Sequence, residues 1–270
     1  MPETPTKKLT PLQNALLAMK KMRKKLDAYE KAKDEPIAII GMGCRFPAGS
    51  DTPEKFWRLF EEGIDAVTEV PEERKAVRLW DDGELGDTER KGIKWASFID
   101  HPDRFDALFF GISPREAAYM DPRQRVLLEV AWEALEDAGQ VPERLVGSKT
   151  GVYIGMTTND YQQCVISNRP EEMDFYAFTG LGDCFLSGRI SYTLGLQGPS
   201  LCVATACSSS LVTVHLAVES LRRGESDMAI AGGINLILSP QLTFVFAGSD
   251  VAMAPDGRCK AFDSRANGIV

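Results

Sequence analysis

Little in this chain can start covalent chemistry. It has six cysteines, Cys44, Cys164, Cys184, Cys202, Cys207 and Cys259, and two histidines, His101 and His215. No cysteine pair has CxxC spacing, and two histidines cannot complete a zinc set, so no metal ligands are assigned. A disulfide framework is not expected in a large chain without a secretory signal. Most of these thiols read as small hydrophobes for the core.

Cys207 has different surroundings. Residues 198–210 read GPSLCVATACSSS. A strand pattern runs up to Thr205, and a helix pattern starts just after Cys207. The helix carries Leu211, Val212, Val214, Leu216, Ala217, Val218 and Leu221 and ends near Gly224. It is apolar nearly all round, which predicts burial. The thiol is thereby expected on a tight turn at a helix N-terminus, where unpaired N–H groups and the helix dipole favour negative charge. Such a place lowers a thiol pKa from about 8.5 to roughly 3.5–7.5. The same N–H donors can hold the oxyanion of an acyl transfer. Ala206 and the serines leave room for a substrate. An inert cysteine beside a serine-rich cap fits these residues too, and at this level both readings stand.

A cysteine–histidine hydrolase does not fit. His215 lies on the same helix as the turn, about 12 Å along its axis at ~1.5 Å per residue. Hydrogen-bond reach is about 3 Å. His101 precedes Pro102 in a polar stretch and reads as a surface residue.

The elements that must hold such a turn are legible in outline. Short apolar runs at 37–40, 152–154, 201–205, 228–231 and 236–238 read as buried strands, with helical patterns between several of them. That alternation predicts an α/β fold with a buried sheet. A helix is expected from Pro122. Asp121 caps it, Gln124 stands at capping-box spacing, and Leu127, Val130, Ala131, Ala134 and Ala138 line one face up to Gly139. Residues 72–94 read as a polar loop.

Composition sets limits. Hydrophobic residues make up 44% and charged residues 26%, ordinary for a globular protein. The formal net charge of −8 argues against nucleic-acid binding. No membrane span or secretory core is visible, so the expected location is cytoplasmic. Charge is uneven, net +5 over residues 1–34 and net −13 over the rest. Residues 9–33 read as a helix with Leu12, Met19 and Leu26 in one heptad register and Ala15, Met22 and Tyr29 in the other. Lys20, Lys21, Arg23, Lys24 and Lys25 fill its outer surface. It reads either as a helix packed on its own domain or as a docking or dimerising helix. Pro36 ends it.

Beyond these readings, the chain resembles the β-ketoacyl synthase (ketosynthase) domains of type I modular polyketide synthases. TACSSS at 205–210 matches their nucleophile motif. EPIAIIGMGCRFP at 35–47, FFGISPREA at 109–117, LEVAWEALEDAG at 128–139 and PDGRCKAFD at 255–263 match in order. One departure is Arg123, where the family usually has Gln; its helix-start role is unaffected.

The resemblance implies a thiolase-like, layered αβαβα fold, of which residues 35–270 are the N-terminal half, preceded by a docking segment at 1–34. It implies that Cys207 is the catalytic nucleophile. Cys207 would accept an acyl chain from the phosphopantetheine thiol of an acyl carrier protein. It would then condense that chain with a decarboxylated malonyl-type extender. No cofactor is bound directly. Partners implied are acyl carrier proteins, an upstream polypeptide of the synthase that meets residues 9–33, and a second copy in a homodimeric parent. The family's catalytic histidines fall in motifs absent from this sequence, so it is expected to be a truncated piece, inactive alone in condensation. Alternatives are a non-catalytic docking fragment or a thiolase-type enzyme. A loading-module decarboxylase usually has Gln where Cys207 stands. A dinucleotide site at Gly41-Met42-Gly43 lacks the third glycine, since Phe46 stands there.

Overall fold

The computed structural model describes residues 10–33, 35–71, 95–168, 174–239 and 253–270. The elements in chain order are α1 (Pro11–Lys33), α2 (Pro53–Glu62), β1 (Thr68–Glu69), β2 (Trp95–Ala96), α3 (Pro114–Tyr119), α4 (Pro122–Asp137) and α5 (Pro142–Leu145). There follow β3 (Thr150–Met156), α6 (Asp160–Asn168), α7 (Phe175–Leu181), α8 (Phe185–Thr193), β4 (Ser200–Val203), α9 (Ser209–Arg223) and β5 (Met228–Ile234). The expected loop at 72–94 lies outside the described residues.

The sheet that positions Cys207 is parallel, in the order β4-β3-β5. β3 is its centre, and Val152, Tyr153 and Ile154 are almost wholly buried. Parallel strands need helical crossovers that cover both faces. Successive residues of β3 point to opposite faces. Val152 and Ile154 enter the main core with Leu127, Leu128, Ala131 and Leu135 of α4 and Leu186 and Ile190 of α8. On the other face Gly155 lies against the first turn of α9. The result is three layers: α4 with α8, the sheet, and α9.

The α4 helix begins as expected and differs in detail. Asp121 caps it, its carboxylate accepting from Arg123 N at 2.8 Å, and Pro122 takes the first position. Gly139, at φ +62°, follows the last turn. Gln124 does not close a capping box. Its side-chain amide donates to the carbonyls of Thr179 and Gly180, and its oxygen accepts from Arg189 Nε at 2.8 Å. The residue is buried, so its polar atoms tie α4 to α7 and α8 instead of returning to the cap.

Two expected strands are absent. Residues 37–40 form no ladder, and Ile37, Ile39 and Ile40 are exposed. The chain just after them lies on α4. A Cβ on Gly41 would stand 2.4 Å from Ala134 O, and one on Gly43 2.6 Å from Val130 O. Met42 N donates to Asp137 Oδ2 at 2.8 Å. The two glycines therefore serve helix packing. Residues 236–238 also form no strand. Asp160 Oδ2 accepts from the backbone N–H groups of Leu238 and Ser239, which takes the donors a ladder would use.

The α1 helix forms over nearly the expected span. Leu12, Leu16, Met19, Met22 and Leu26 are all exposed, so this seam is not covered by the described residues. The Tyr29 side chain lies outside the described residues.

Candidate active site

β4 ends at Val203 and α9 starts at Ser209, so Cys207 sits on the turn between them, exposed as that placement requires. Just before it, Ala206 has φ +54°, in the left-handed region that a side chain disfavours. A residue held there costs about 1–3 kcal/mol, so its surroundings must enforce it. Ser209 does this. Its hydroxyl donates to Ala206 O at 2.7 Å or Met156 O at 3.1 Å and accepts from Thr205 N at 2.9 Å. Ser208 Oγ reaches Thr205 O at 2.8 Å and Thr205 Oγ1 at 2.9 Å. Ser208 and Ser209 are staples of the turn, whereas sequence reasoning assigns the serines after Cys207 only a cap and room for substrate. Ser208, the N-cap residue, makes no side-chain cap bond.

Close approach of α9 to the sheet completes the site. A Cβ on Gly155 would lie 2.7 Å from Ser209 C, and one on Gly233 2.0 Å from Ser210 Oγ. A glycine inside a strand marks such an approach. The buried face of α9 is Ser209, Thr213, Ala217 and Ser220. Thr213 Oγ1 donates to Ser210 O at 2.7 Å or Gly232 O at 3.1 Å. The expectation of a helix buried all round is not met among the described residues: small residues face the sheet, while Leu211 is 77% exposed and Val214 47%.

The other cysteines are set apart by environment. Cys202 is half-buried on β4. Its thiol donates to Ser187 Oγ at 3.2 Å, and its sulfur accepts from Ser187 N at 3.3 Å. Burial pushes this thiol up, against the pull of Ser187. Burial also raises Cys44 and Cys164. A raised pKa lowers the thiolate fraction and so the reactivity. Cys184, Cys207 and Cys259 are exposed, and of these Cys207 alone occupies the strand-to-helix turn.

The histidines stand as the sequence implies. His215 is exposed on α9, two turns beyond Cys207, and His101 is exposed at φ +47°. His101 borders a cavity of about 570 Å³ with Arg45, Arg104 and Glu129, and no residue of the Cys207 turn lines it.

Arg123 does far more than start a helix. It is 2% exposed. Its guanidinium pairs with Asp121 Oδ2 at 2.8 Å and Asp183 Oδ1 at 2.9 Å, and donates to Thr158 O. Burial works against its charge, and the two carboxylates outweigh that and hold its pKa above the ordinary value.

Comparison with known proteins gives the family of the chain. The family profile described as Beta-ketoacyl synthase, N-terminal domain, matches residues 34–270. Polyketide synthase GfsA of Streptomyces halstedii is 49% identical over 90% of this chain, which spans 3% of that protein. A phenolphthiocerol/phthiocerol polyketide synthase subunit of Mycobacterium tuberculosis H37Rv is 46% identical over 96% of this chain and 12% of its own length. An alignment that long takes in most of α1. Among solved structures, the oxazolomycin ketosynthase domain OzmH KS7 of Streptomyces albus JA3453 has a TM-score of 0.76 at 33% identity. The match covers 87% of this chain and 41% of that one. The ketosynthase from module 6 of the bacillaene synthase of Bacillus subtilis 168 has a TM-score of 0.72 at 35% identity, covering 86% and 37%.

Proposed function

The chain belongs to the β-ketoacyl synthase family and has its α/β, thiolase-like fold, and from that premise we propose that Cys207 is the acyl-carrying nucleophile of a polyketide ketosynthase. The observation that carries this reading is the exposed thiol on a strained turn at the head of α9. The Cys207 thiolate attacks the carbonyl of an acyl thioester borne on a carrier protein's phosphopantetheine. Negative charge develops on the carbonyl oxygen, and backbone N–H groups at the head of α9 are suited to stabilise it. The carrier thiolate then leaves, takes a proton, and the chain rests as a thioester on Cys207. A thiolate suits both halves of this exchange, since it attacks thioesters readily and departs readily.

Condensation with a decarboxylated malonyl-type unit follows in this reading. It needs groups that activate the carboxylate and stabilise the enolate. Neither His101 nor His215 stands on the Cys207 turn. The part assigned to these residues is therefore the acylation step. The experiment that tests it is mass spectrometry of the natural polypeptide containing this sequence, after incubation with an acyl thioester. One adduct on Cys207, lost in Cys207→Ala, is the expected result. An adduct that persists on the variant rejects the assignment.

We further propose that α1 joins this domain to a partner subunit. Its apolar seam is exposed, its outer surface is basic, and the match to a polyketide synthase subunit extends over most of the segment. An acidic helix suits that surface. A homodimeric parent and a cytoplasmic location belong to the same proposal. Among the described residues no helix is long and apolar enough to cross a membrane.

A further inference from the structure

We propose that Arg123 is a positioning residue for the Cys207 turn, acting through the loop that follows β3. This rests on the reading of Cys207 as the nucleophile.

The connection can be followed bond by bond. Arg123 stands in the first turn of α4, in the helical layer on the face of the sheet opposite α9. Its guanidinium is oriented by the Asp121 carboxylate, which accepts from Nε at 3.1 Å and from Nη2 at 2.8 Å. Nη2 also reaches Asp183 Oδ1 at 2.9 Å, just before α8. Nη1 is left to donate to the carbonyl of Thr158. A planar fork with fixed donor directions makes four hydrogen bonds to these three partners, one more than the three N–H groups of an ammonium supply.

Thr158 belongs to the short link between β3 and α6. Four other contacts fix that link. Thr157 and Thr158 hydroxyls donate to Asn235 Oδ1 at 2.9 and 3.0 Å. Asn159 Nδ2 donates to Leu181 O at 2.8 Å and approaches Asp183 Oδ1 at 3.2 Å. Asp183 therefore meets both Arg123 and the link. Two residues before Thr158 stands Met156, whose carbonyl is within reach of the Ser209 hydroxyl. Ser209 is the residue that holds Ala206 in its strained conformation beside Cys207. The path runs Arg123, Thr158, Met156, Ser209: with its hydroxyl donated to Met156 O, Ser209 Oγ still accepts from Thr205 N at 2.9 Å, and Ser209 N donates to Ala206 O at 3.0 Å.

A buried cation with two carboxylates is not needed simply to stabilise a helix start, since Asp121 and Pro122 already supply the cap. Its directional contact is with the link. The reason for its charge is then local rigidity near the nucleophile, where small misplacements cost large factors in rate.

The test uses two variants of the natural polypeptide. Arg123→Met removes the fork and leaves Asp121 buried without its cation, which threatens folding. Arg123→Met combined with Asp121→Asn removes both charges and the donor to Thr158, and Asn still caps a helix well. Amide hydrogen exchange and acylation of Cys207 are measured well below each variant's Tm. The expected result is faster exchange at Thr205 and Ser209, by tenfold or more relative to Leu186 and Ile190 in the core. Acylation is expected to slow by roughly ten- to a hundredfold. Exchange rising evenly over turn and core, or not at all, overturns the positioning role, as does acylation at the unaltered rate. If the unaltered protein is not acylated while the variants loosen the turn, the link from Arg123 stands and the acylation reading falls.

Discussion

The Ser209 hydroxyl lies 3.1 Å from the Met156 carbonyl, which joins the first residue of α9 to the last residue of β3. That contact is available because Gly155 presents no side chain at the crossing. The geometry of the thiol thus depends on residues far from it in sequence, and this can be measured.

Gly155→Ala is expected to force α9 away from β3. Its Cβ would meet Ser209 C at 2.7 Å and Ser210 N at 2.8 Å, both backbone atoms. Overpacking of this kind costs about 1–3 kcal/mol. A thermal melt should show a clear drop in Tm. Gly232→Ala is the control, because nothing lies within 4 Å of an added Cβ there. If Gly155→Ala melts like Gly232→Ala, the close crossing is not a determinant of stability.

Alkylation should separate the thiols. Near neutral pH, iodoacetamide is expected to label Cys207 faster than Cys202, by roughly tenfold or more, because burial raises Cys202 and reduces its thiolate fraction. Peptide mapping over a time course reads the order directly. Labelling of Cys202 first would contradict both its burial and the assignment of the acyl site.

Asp160 gives a pH signature. Burial raises its carboxyl above the ordinary 3.8, against the pull of the Leu238 and Ser239 N–H donors. A carboxyl raised on folding contributes its full stability below 3.8 and loses it as pH rises through the folded pKa. Asp160→Asn keeps an acceptor for both donors and carries no charge. Its Tm should exceed the unaltered protein's at pH 7, and the gap should close as pH falls toward 3.8. A gap that widens on acidification contradicts the sign.

Removal of residues 1–34 should weaken association with an acidic partner helix by tenfold or more, a change of about 1.4 kcal/mol. Added salt should weaken binding of the intact protein, since the Debye length is about 10 Å at 0.1 M and shorter above that. Equal affinity with and without α1, by titration calorimetry, refutes the docking role.

Much of this arrangement is legible in the sequence, for physical reasons that also explain the failures. β3 and α4 are visible because their burial is made by large apolar side chains, and β4 and β5 because each carries a short apolar run, although neither holds a buried residue. The strand–Cys207–helix order follows from the same signal. Residues 37–40 carry that signal too, yet they meet no described strand, and local composition cannot say which partner is in reach. The inward face of α9 escapes sequence reasoning because Ser209, Thr213, Ala217 and Ser220 work by being small. Hydropathy rewards Leu211 and Val214, which face outward. Gln124 misleads because a helix start permits a local bond, whereas burial against Thr179, Gly180 and Arg189 provides better ones. Arg123 is visible as a departure from the family pattern, but its partners Asp183 and Thr158 lie far along the chain.

The strand order also sets a timetable for synthesis. β3 lies between β4 and β5, and both neighbours are made after it. Ribosomes add about 5–20 residues per second, so β3 waits on the order of several seconds for β5. Until β4 is made, Val152 and Ile154 have no finished ladder on either side, and until β5 follows one edge stays open, the state most exposed to chaperones and to mispairing. The Ser209 clasp cannot close until the head of α9 has left the ribosome. The thiol is therefore framed late, when the strand behind it is about to gain its last neighbour, and a nascent chain cannot present Cys207 in its final setting ahead of the sheet that supports it.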